Sequence, residues 1–440
     1  MSVATAIVLL FVLMLVLLVL GLPIAFVLGA SAIILGFATM GIESVFLMVA
    51  AILNNMRTII LIAIPLFIFM GNMLQTSGLA DDLYGAVQSW VGGLRGGLAI
   101  GTIVICTMFA AMTGVSAAAT VTMGVVALPA MLSRGYSKHL VLGTVMGGGA
   151  LGQLIQPSTM FILFGFMAPE SVGRLFAGGI LPGLILAGLF VTYISVMCTL
   201  RPSMGPVVPR EERPTWAERF RSLKALALPV GLIAVVLGSI FTGFATPTEA
   251  AAVGAAGAIA CSAIYRRLTL NSLREACHRT ISLTSMVMWI AVGATAFTAV
   301  FAGAGGAHLI RSALLDIVGS PILVIVVMQA IIFILGMFMD PTGIILLCTP
   351  IFVPVVRELG FSTVWFGVLF LVNLEMAYLT PPYGMNLFYM KGIGVPGVEM
   401  SDIYKSALPF VVIQATVLVL LLAFPHLALW IPNLIYGLEA

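Results

Sequence analysis

The chain has 440 residues, of which 61% are hydrophobic and 8% charged, with a net charge of +3 and a mean hydropathy of +1.21. These values exclude a water-soluble globular domain. The small net charge, with its bases gathered in loops, excludes a nucleic-acid-binding face, so no nucleic-acid partner is expected.

A spanning helix needs roughly 20 mostly apolar residues to cross about 30 Å of hydrocarbon, and such stretches recur along the whole sequence, enough for roughly ten or more crossings. The first, Ala4 to Leu20, has no basic residue before it and runs past Pro23 into a second apolar segment. It reads as a retained helix rather than a cleaved signal. Asn54, Asn55 and Arg57 adjoin an interfacial segment and read as structural. Asp81 to Val91 and Ala307 to Val318 are short and amphipathic, suited to the membrane interface or to bracing a moving part.

Polar chemistry enters at Thr113-Gly114-Val115-Ser116-Ala117-Ala118-Ala119-Thr120 and again from Gly147-Gly148-Gly149 through Gln153, Gln156 and Pro157 to Ser158. Glycine loosens a helix, and proline removes a donor and frees a carbonyl one turn back. Freed carbonyls at membrane depth need a partner. Na⁺ suits a set of backbone carbonyls and hydroxyl oxygens at discontinuous helices. The same small residues also serve plain helix packing.

Arg201 to Lys224 is the one long polar stretch and holds six of the 19 Lys and Arg. Leu226 to Phe244 and Ala250 to Ile264 then form a helical hairpin, leading to Arg266, Arg267, Arg274 and Arg279. Both basic clusters fall on one side, which the positive-inside rule makes cytoplasmic. Glu249 begins a helix, where an acid suits the dipole, and reads as structural.

The second half repeats the first. Pro129-x5-Gly135-Tyr136-Ser137 matches Pro354-x5-Gly360-Phe361-Ser362 at an offset of 354 − 129 = 225 residues, and that shift places Gln156-Pro157-Ser158 on Pro381-Pro382-Tyr383. Gly336 to Gly343 and Asn373 to Asn386 supply breakers, oxygens and the acids Asp340 and Glu375. An acid at membrane depth normally faces a cavity or a partner. Two related halves suggest a transporter with its site where broken helices meet.

Cys106, Cys198, Cys261, Cys277 and Cys348 lie in apolar surroundings without C-x-x-C pairing and read as buried free thiols. His139, His278, His308 and His426 lack metal-ligand spacing. No arrangement of catalytic groups is recognisable, so no enzyme is expected.

Ile64-Pro65-Leu66-Phe67-Ile68-Phe69-Met70-Gly71-Asn72, the Thr113 to Thr120 segment, Leu128-Pro129-Ala130-Met131 with Gly135-Tyr136, Gly149 to Ser158, and Thr380-Pro381-Pro382-Tyr383-Gly384 together resemble the large membrane subunit, DctM or SiaM type, of tripartite ATP-independent periplasmic (TRAP) transporters. The resemblance spans nearly the whole chain. It implies an all-α polytopic membrane protein of two inverted repeats, residues 1–200 and 225–440, joined by a basic cytoplasmic linker at 201–224. It also implies two re-entrant hairpins, about 116–133 and 341–359, and an elevator-type transport domain moving against a scaffold. The implied activity is Na⁺-driven uptake of a small organic acid across the bacterial inner membrane. The implied partners are a small membrane subunit of the DctQ or SiaQ type, a periplasmic substrate-binding protein of the DctP or SiaP type, and membrane lipid. No phosphate-binding loop is present, consistent with ion-driven work.

Carried over residue by residue, a first Na⁺ site falls on Thr113, Gly114, Val115, Ser116, Gly152, Ile155 and Pro157. A second falls on Phe338, Met339, Asp340, Ala377, Thr380 and Pro382. Substrate contacts fall on Ser116, Gln153, Asp340 and Asn386. The chain departs from the family's Ser-Gly-Ser-Ser run at Thr113-Gly114-Val115-Ser116, and has Gln156 where the family usually has proline. A stand-alone Na⁺/carboxylate symporter of related architecture and a non-transporting membrane scaffold are the alternatives.

Overall fold

The protein is described here by a computed structural model covering residues 3–114, 116–209, 211, 213–306, 320–382 and 384–438. Within these residues the regular structure is helical, with no strand. Helices α1 (Val3–Val19), α2 (Ile24–Met40) and α3 (Glu43–Met56) lead through a 3-10 turn, Ile59–Ile62, into α4 (Ala63–Thr76). Then come α5 (Leu79–Val91), α6 (Gly97–Thr113), α7 (Ser116–Leu132) and α8 (Lys138–Ala150). A second 3-10 turn, Leu151–Gln153, separates α8 from α9 (Thr159–Met167), and α10 (Val172–Leu200) closes the first half.

The short α11 (Trp216–Ser222) precedes α12 (Lys224–Phe241), α13 (Pro247–Ile264) and the 34-residue α14 (Leu270–Gly303). After the undescribed stretch, which contains the amphipathic segment expected at 307–318, come α15 (Pro321–Gly336), α16 (Pro341–Glu358) and α17 (Thr363–Tyr378). The chain ends with α18 (Met385–Gly392), α19 (Met400–Ala423) and α20 (His426–Tyr436).

Local chemistry sets several of these starts. Thr246 and Glu249 form a capping box on α13, the Thr246 N–H donating to Glu249 Oε2 at 2.8 Å, which satisfies donors that a helix start leaves open. Glu249 is thus structural, as its position suggested. Asn55 donates to Thr295 Oγ1 at 3.2 Å and ties α3 to α14.

Among the described residues, six helices are long and apolar enough to cross a bilayer unaided, or seven when α11 and α12 count as one bent span; seven further apolar helices have only 10 to 17 residues. Several apolar stretches are interrupted by breaks, so that their helices are short. The expected hairpin boundaries also shift. Residues 116–132 are one helix, α7, and 341–358 are one helix, α16. The chain turns back at Gly114, pairing α6 with α7 antiparallel: Thr102 Oγ1 near the start of α6 lies 3.9 Å from Met131 Sδ near the end of α7. In the second half, α15 and α16 are joined through residues 337–340.

Two helix groups pack side by side. The first holds α1 to α4 with α12 to α14, and the second holds α6 to α10 with α15 to α20. Every residue of α17 is buried, which makes it the centre of the second group. Outward-facing positions are strongly apolar, as at Phe46, Phe244 and Leu270. A hydrocarbon surround accounts for such a surface, whereas water would penalise it.

The polar stretch at 201–224 folds back on the first half. Ser137 N–H donates to Met204 O and Gly96 N–H to Gly205 O, each at 2.9 Å. Trp90 of α5 donates to Arg219 O at 3.2 Å and meets Phe220 edge-on with ring centres 5.5 Å apart. Of the five cysteines, four are buried, but Cys277 is exposed on α14. The expectation of a uniformly buried set fails there because its helix face is open.

Candidate functional site

The polar runs picked out from sequence assemble at two helix breaks. At the first, α6 ends at Gly114, which adopts φ +61°, a conformation that disfavours a side chain. A Cβ on Gly114 would lie 2.6 Å from Pro157 O, so the tip of the α6–α7 hairpin sits directly against the break between α8 and α9. Thr159 Oγ1 donates to Gly114 O at 3.3 Å and Ser158 Oγ to Gln153 O at 2.5 Å. Gly152, Gln153 and Pro157 are all buried here, and Ile155 is half-buried. Val115 lies outside the described residues, and so does the side chain of Thr113.

Gln156, the departure from the usual proline, is buried, and its amide donates to Leu154 O within the break. Its side chain thus supplies a local tie, and the Gln156-Pro157 bond is cis, as is Pro381-Pro382 at the matching position.

Asn386, from the second half, reaches this first break. Its Oδ1 accepts from Ser116 Oγ at 3.1 Å and from Thr120 Oγ1 at 3.2 Å, and its Nδ2 donates to Met146 O at 3.4 Å. Ser116 and Asn386, both expected to contact substrate, are thus bonded to each other and are 2% and 0% exposed. Gln153 is equally buried, with Oε1 lacking a hydrogen-bond partner.

The glycine run 147–149 has three neighbours. Added Cβ atoms would meet the Phe410 ring at 2.3 Å from Gly147, Cys106 Sγ at 2.8 Å from Gly148 and Thr120 Oγ1 at 2.0 Å from Gly149. The run therefore lets α8 approach α19, α6 and α7 at once, the packing use of small residues.

At the second break, Asp340 caps α16 and accepts from Thr342 N–H at 2.9 Å. Gly336 packs against the last turn of α17, where its Cβ would lie 2.5 Å from Ala377 Cβ. Thr380 Oγ1 donates to Met376 O at 2.7 Å. This break is the more open of the two. Phe338 is 60% exposed and Pro382 is exposed, Met339, Asp340 and Thr380 are half-buried, and Ala377 is buried.

Beside these breaks lie two features that sequence reasoning missed or only half read. Asn373 donates to both Gln329 O and Gln329 Oε1, at 2.6 and 2.8 Å, and fastens α17 to α15. Glu375 is fully buried on α17, the helix that packs against the Leu151–Gln153 turn of the first break, with neither carboxylate oxygen in hydrogen-bonding geometry. The acid was legible as unusual; its placement beside the other half's break was not.

Residues 11–427 match the family described as the DctM component of tripartite ATP-independent periplasmic transporters. The chain is 32% identical over 457 residues to a C4-dicarboxylate TRAP transporter large permease protein, DctM, of Vibrio cholerae, covering 99% of each chain. It is 31% identical to an isethionate TRAP transporter permease protein, DctMQ, of Oleidesulfovibrio alaskensis, covering 94% of this chain and 64% of that one. In fold it resembles the YdaH transporter of Alcanivorax borkumensis, with a TM-score of 0.66 at 14% identity over 91% of this chain and 96% of that one. The chain belongs to the DctM family of tripartite ATP-independent periplasmic transporters.

Proposed function

We propose that this chain is the substrate-conducting large subunit of a tripartite uptake system, driven by Na⁺ and moving a small organic acid by an elevator-type displacement. The partners are a small membrane subunit and a periplasmic binding protein that delivers the acid. The observation that carries the reading is the first break. A left-handed glycine, Gly114, sits against the Pro157 carbonyl and beside the hydroxyls of Ser116 and Thr159 in a buried cluster, a set of oxygens that suits Na⁺ where broken helices meet.

On this reading the first cation site uses oxygens of Thr113 to Ser116 with Gly152, Ile155 and Pro157. The second uses Phe338 to Asp340 with Ala377, Thr380 and Pro382. The two halves, 1–200 and 225–440, are inverted repeats; α7 and α16 begin 341 − 116 = 225 residues apart. The helix group α1 to α4 with α12 to α14 is the scaffold, and the group around α17 is the moving body.

Uptake into proteoliposomes tests this. Vesicles holding the chain and its small subunit are supplied with binding protein and radiolabelled succinate or isethionate. Accumulation is expected only with both an inward Na⁺ gradient and the binding protein. Uptake that persists without the binding protein points to a stand-alone symporter, and uptake indifferent to Na⁺ removes the cation assignment.

A further inference from the structure

We propose that the cavity between α4, α14 and the first turns of α7 receives the anionic group of the transported solute, with Arg279 as its positive charge. The inference rests on the uptake reading and gives the substrate a place of its own, apart from the cation cluster.

The cavity measures about 420 Å³, within the usual span of small-molecule sites. Its polar walls are Asn72 and Gln75 on α4, and His278, Arg279 and Ser282 on α14; Ala118 stands opposite on α7. Each group has a definite situation. Asn72 donates to Thr280 Oγ1 at 3.1 Å, and Gln75 donates across to Thr122 Oγ1 of α7 at 2.9 Å. His278, Arg279 and Ser282 are exposed along one face of α14. The cavity therefore joins the two helix groups, with permanent positive charge on one side only.

Arg279 is available to an incoming anion. Its Nη2 lies 2.5 Å from Glu275 Oε1, one helical turn away, with both side chains 46% exposed. Its Nη1 lies 3.5 Å from Gln75 Oε1. An exposed pair of this kind holds its geometry weakly, and the guanidinium has five N–H donors in a planar fork that matches a carboxylate or sulfonate. Arg279 and Gln75 also border the adjoining cavity of about 290 Å³, and Glu275 lines that cavity and not the proposed one, so an incoming anion draws the guanidinium from Glu275.

Helix α7 gives the site its connection to the cations. One face carries Ser116 and Thr120, both bonded to Asn386. Its other face presents Ala117, Ala118 and Val121 to the cavity. The alanines keep the space open, and the helix N-terminus adds a positive end. A shift of α7 when the cation cluster fills would alter the cavity wall directly, since the two sites share that helix turn.

A lipid headgroup phosphate offers the same anion chemistry, so the experiment separates the two sources. Initial uptake of succinate and isethionate is measured for the complete three-component system carrying wild-type chain, Arg279→Gln, Arg279→Lys or Ala118→Leu. Vesicles of neutral phosphatidylcholine are compared with vesicles containing phosphatidylglycerol, and melting of each purified variant reports folding.

For the acid that the wild type accepts, Arg279→Gln is expected to raise the half-saturating concentration about tenfold or more. Arg279→Lys should fall between it and the wild type, because lysine keeps the charge but loses the fork. Ala118→Leu, which fills the space without touching charge, should also weaken uptake at low acid concentration. The effects should be equal in both lipids. An unchanged half-saturation in a folded Arg279→Gln overturns the proposal, as does an effect confined to phosphatidylglycerol vesicles, which assigns Arg279 to a headgroup. Absence of uptake of either acid by the wild type overturns the uptake reading, and this site with it.

Discussion

Asn386 shows how one side chain can hold a break together. Two hydroxyls, from Ser116 and Thr120, share its single amide oxygen in a fully buried place. Removing that acceptor leaves both hydroxyls without a partner, at about 1–3 kcal/mol for each group left unsatisfied. Asn386→Ala should lower the melting temperature of the purified protein and raise the Na⁺ concentration for half-maximal uptake. Asn386→Asp retains the acceptor oxygens and should leave that Na⁺ requirement closer to wild type; equal damage in both variants would dismiss the acceptor role. Gly149 supports the same cluster from behind. Its Cβ would sit 2.0 Å from Thr120 Oγ1 and 2.9 Å from Thr120 Cα, which is backbone and cannot swing aside. Gly149→Ala should therefore destabilise by about 1–3 kcal/mol, as overpacking does. A thermal melt equal to wild type would show that α7 yields freely.

Among the elements, proline alone did not reveal where helices stop. Pro129, Pro350 and Pro354 sit inside α7 and α16, whereas Pro157 and Pro382 stand where helices end. The difference lies in their neighbours: Gly152 stands shortly before Pro157 and Gly384 shortly after Pro382, residues that tolerate non-helical backbone. Both breaks were legible in sequence for that reason. The hairpin limits were not, because the turn at Gly114 is short and the helices on either side are equally apolar. Nor was the fold-back of the linker legible, since a proline-rich basic stretch says little about what it touches. Its aromatic contact with α5 gives a test. Trp90→Ala removes two edge-on ring contacts and one hydrogen bond, each aromatic pair worth about 0.5–1.5 kcal/mol beyond burial. Trypsin should then cut after Arg219 and Arg221 several-fold faster than in the wild type. An unchanged rate would mean that the backbone bonds from Ser137 and Gly96 hold the linker by themselves.

For the whole molecule, the two halves are interlocked. Helix α18 of the second half lies on α7 of the first, while α9 of the first lies on α16 of the second. Each broken helix thus sends its later part onto the other half's hairpin, an arrangement that sequence repetition hinted at but did not locate. As a DctM family member the protein is a multi-pass component of a bacterial inner-membrane transporter and not an enzyme. If the group around α17 moves as one body, it must slide past α4 and α14, and the Gln75–Thr122 bond at 2.9 Å is a point where the two groups touch. A short bis-methanethiosulfonate linker between Gln75→Cys and Thr122→Cys should hold them together. Cys277 is replaced by serine first because it is the exposed thiol, and the four buried cysteines stay. Linked vesicles should lose Na⁺-driven uptake and regain it after dithiothreitol, since opening the bridge frees the slide without changing either residue again. Uptake that continues at the unlinked rate in fully bridged protein would show that transport does not need α7 to part from α4, which contradicts an elevator-type displacement across this contact.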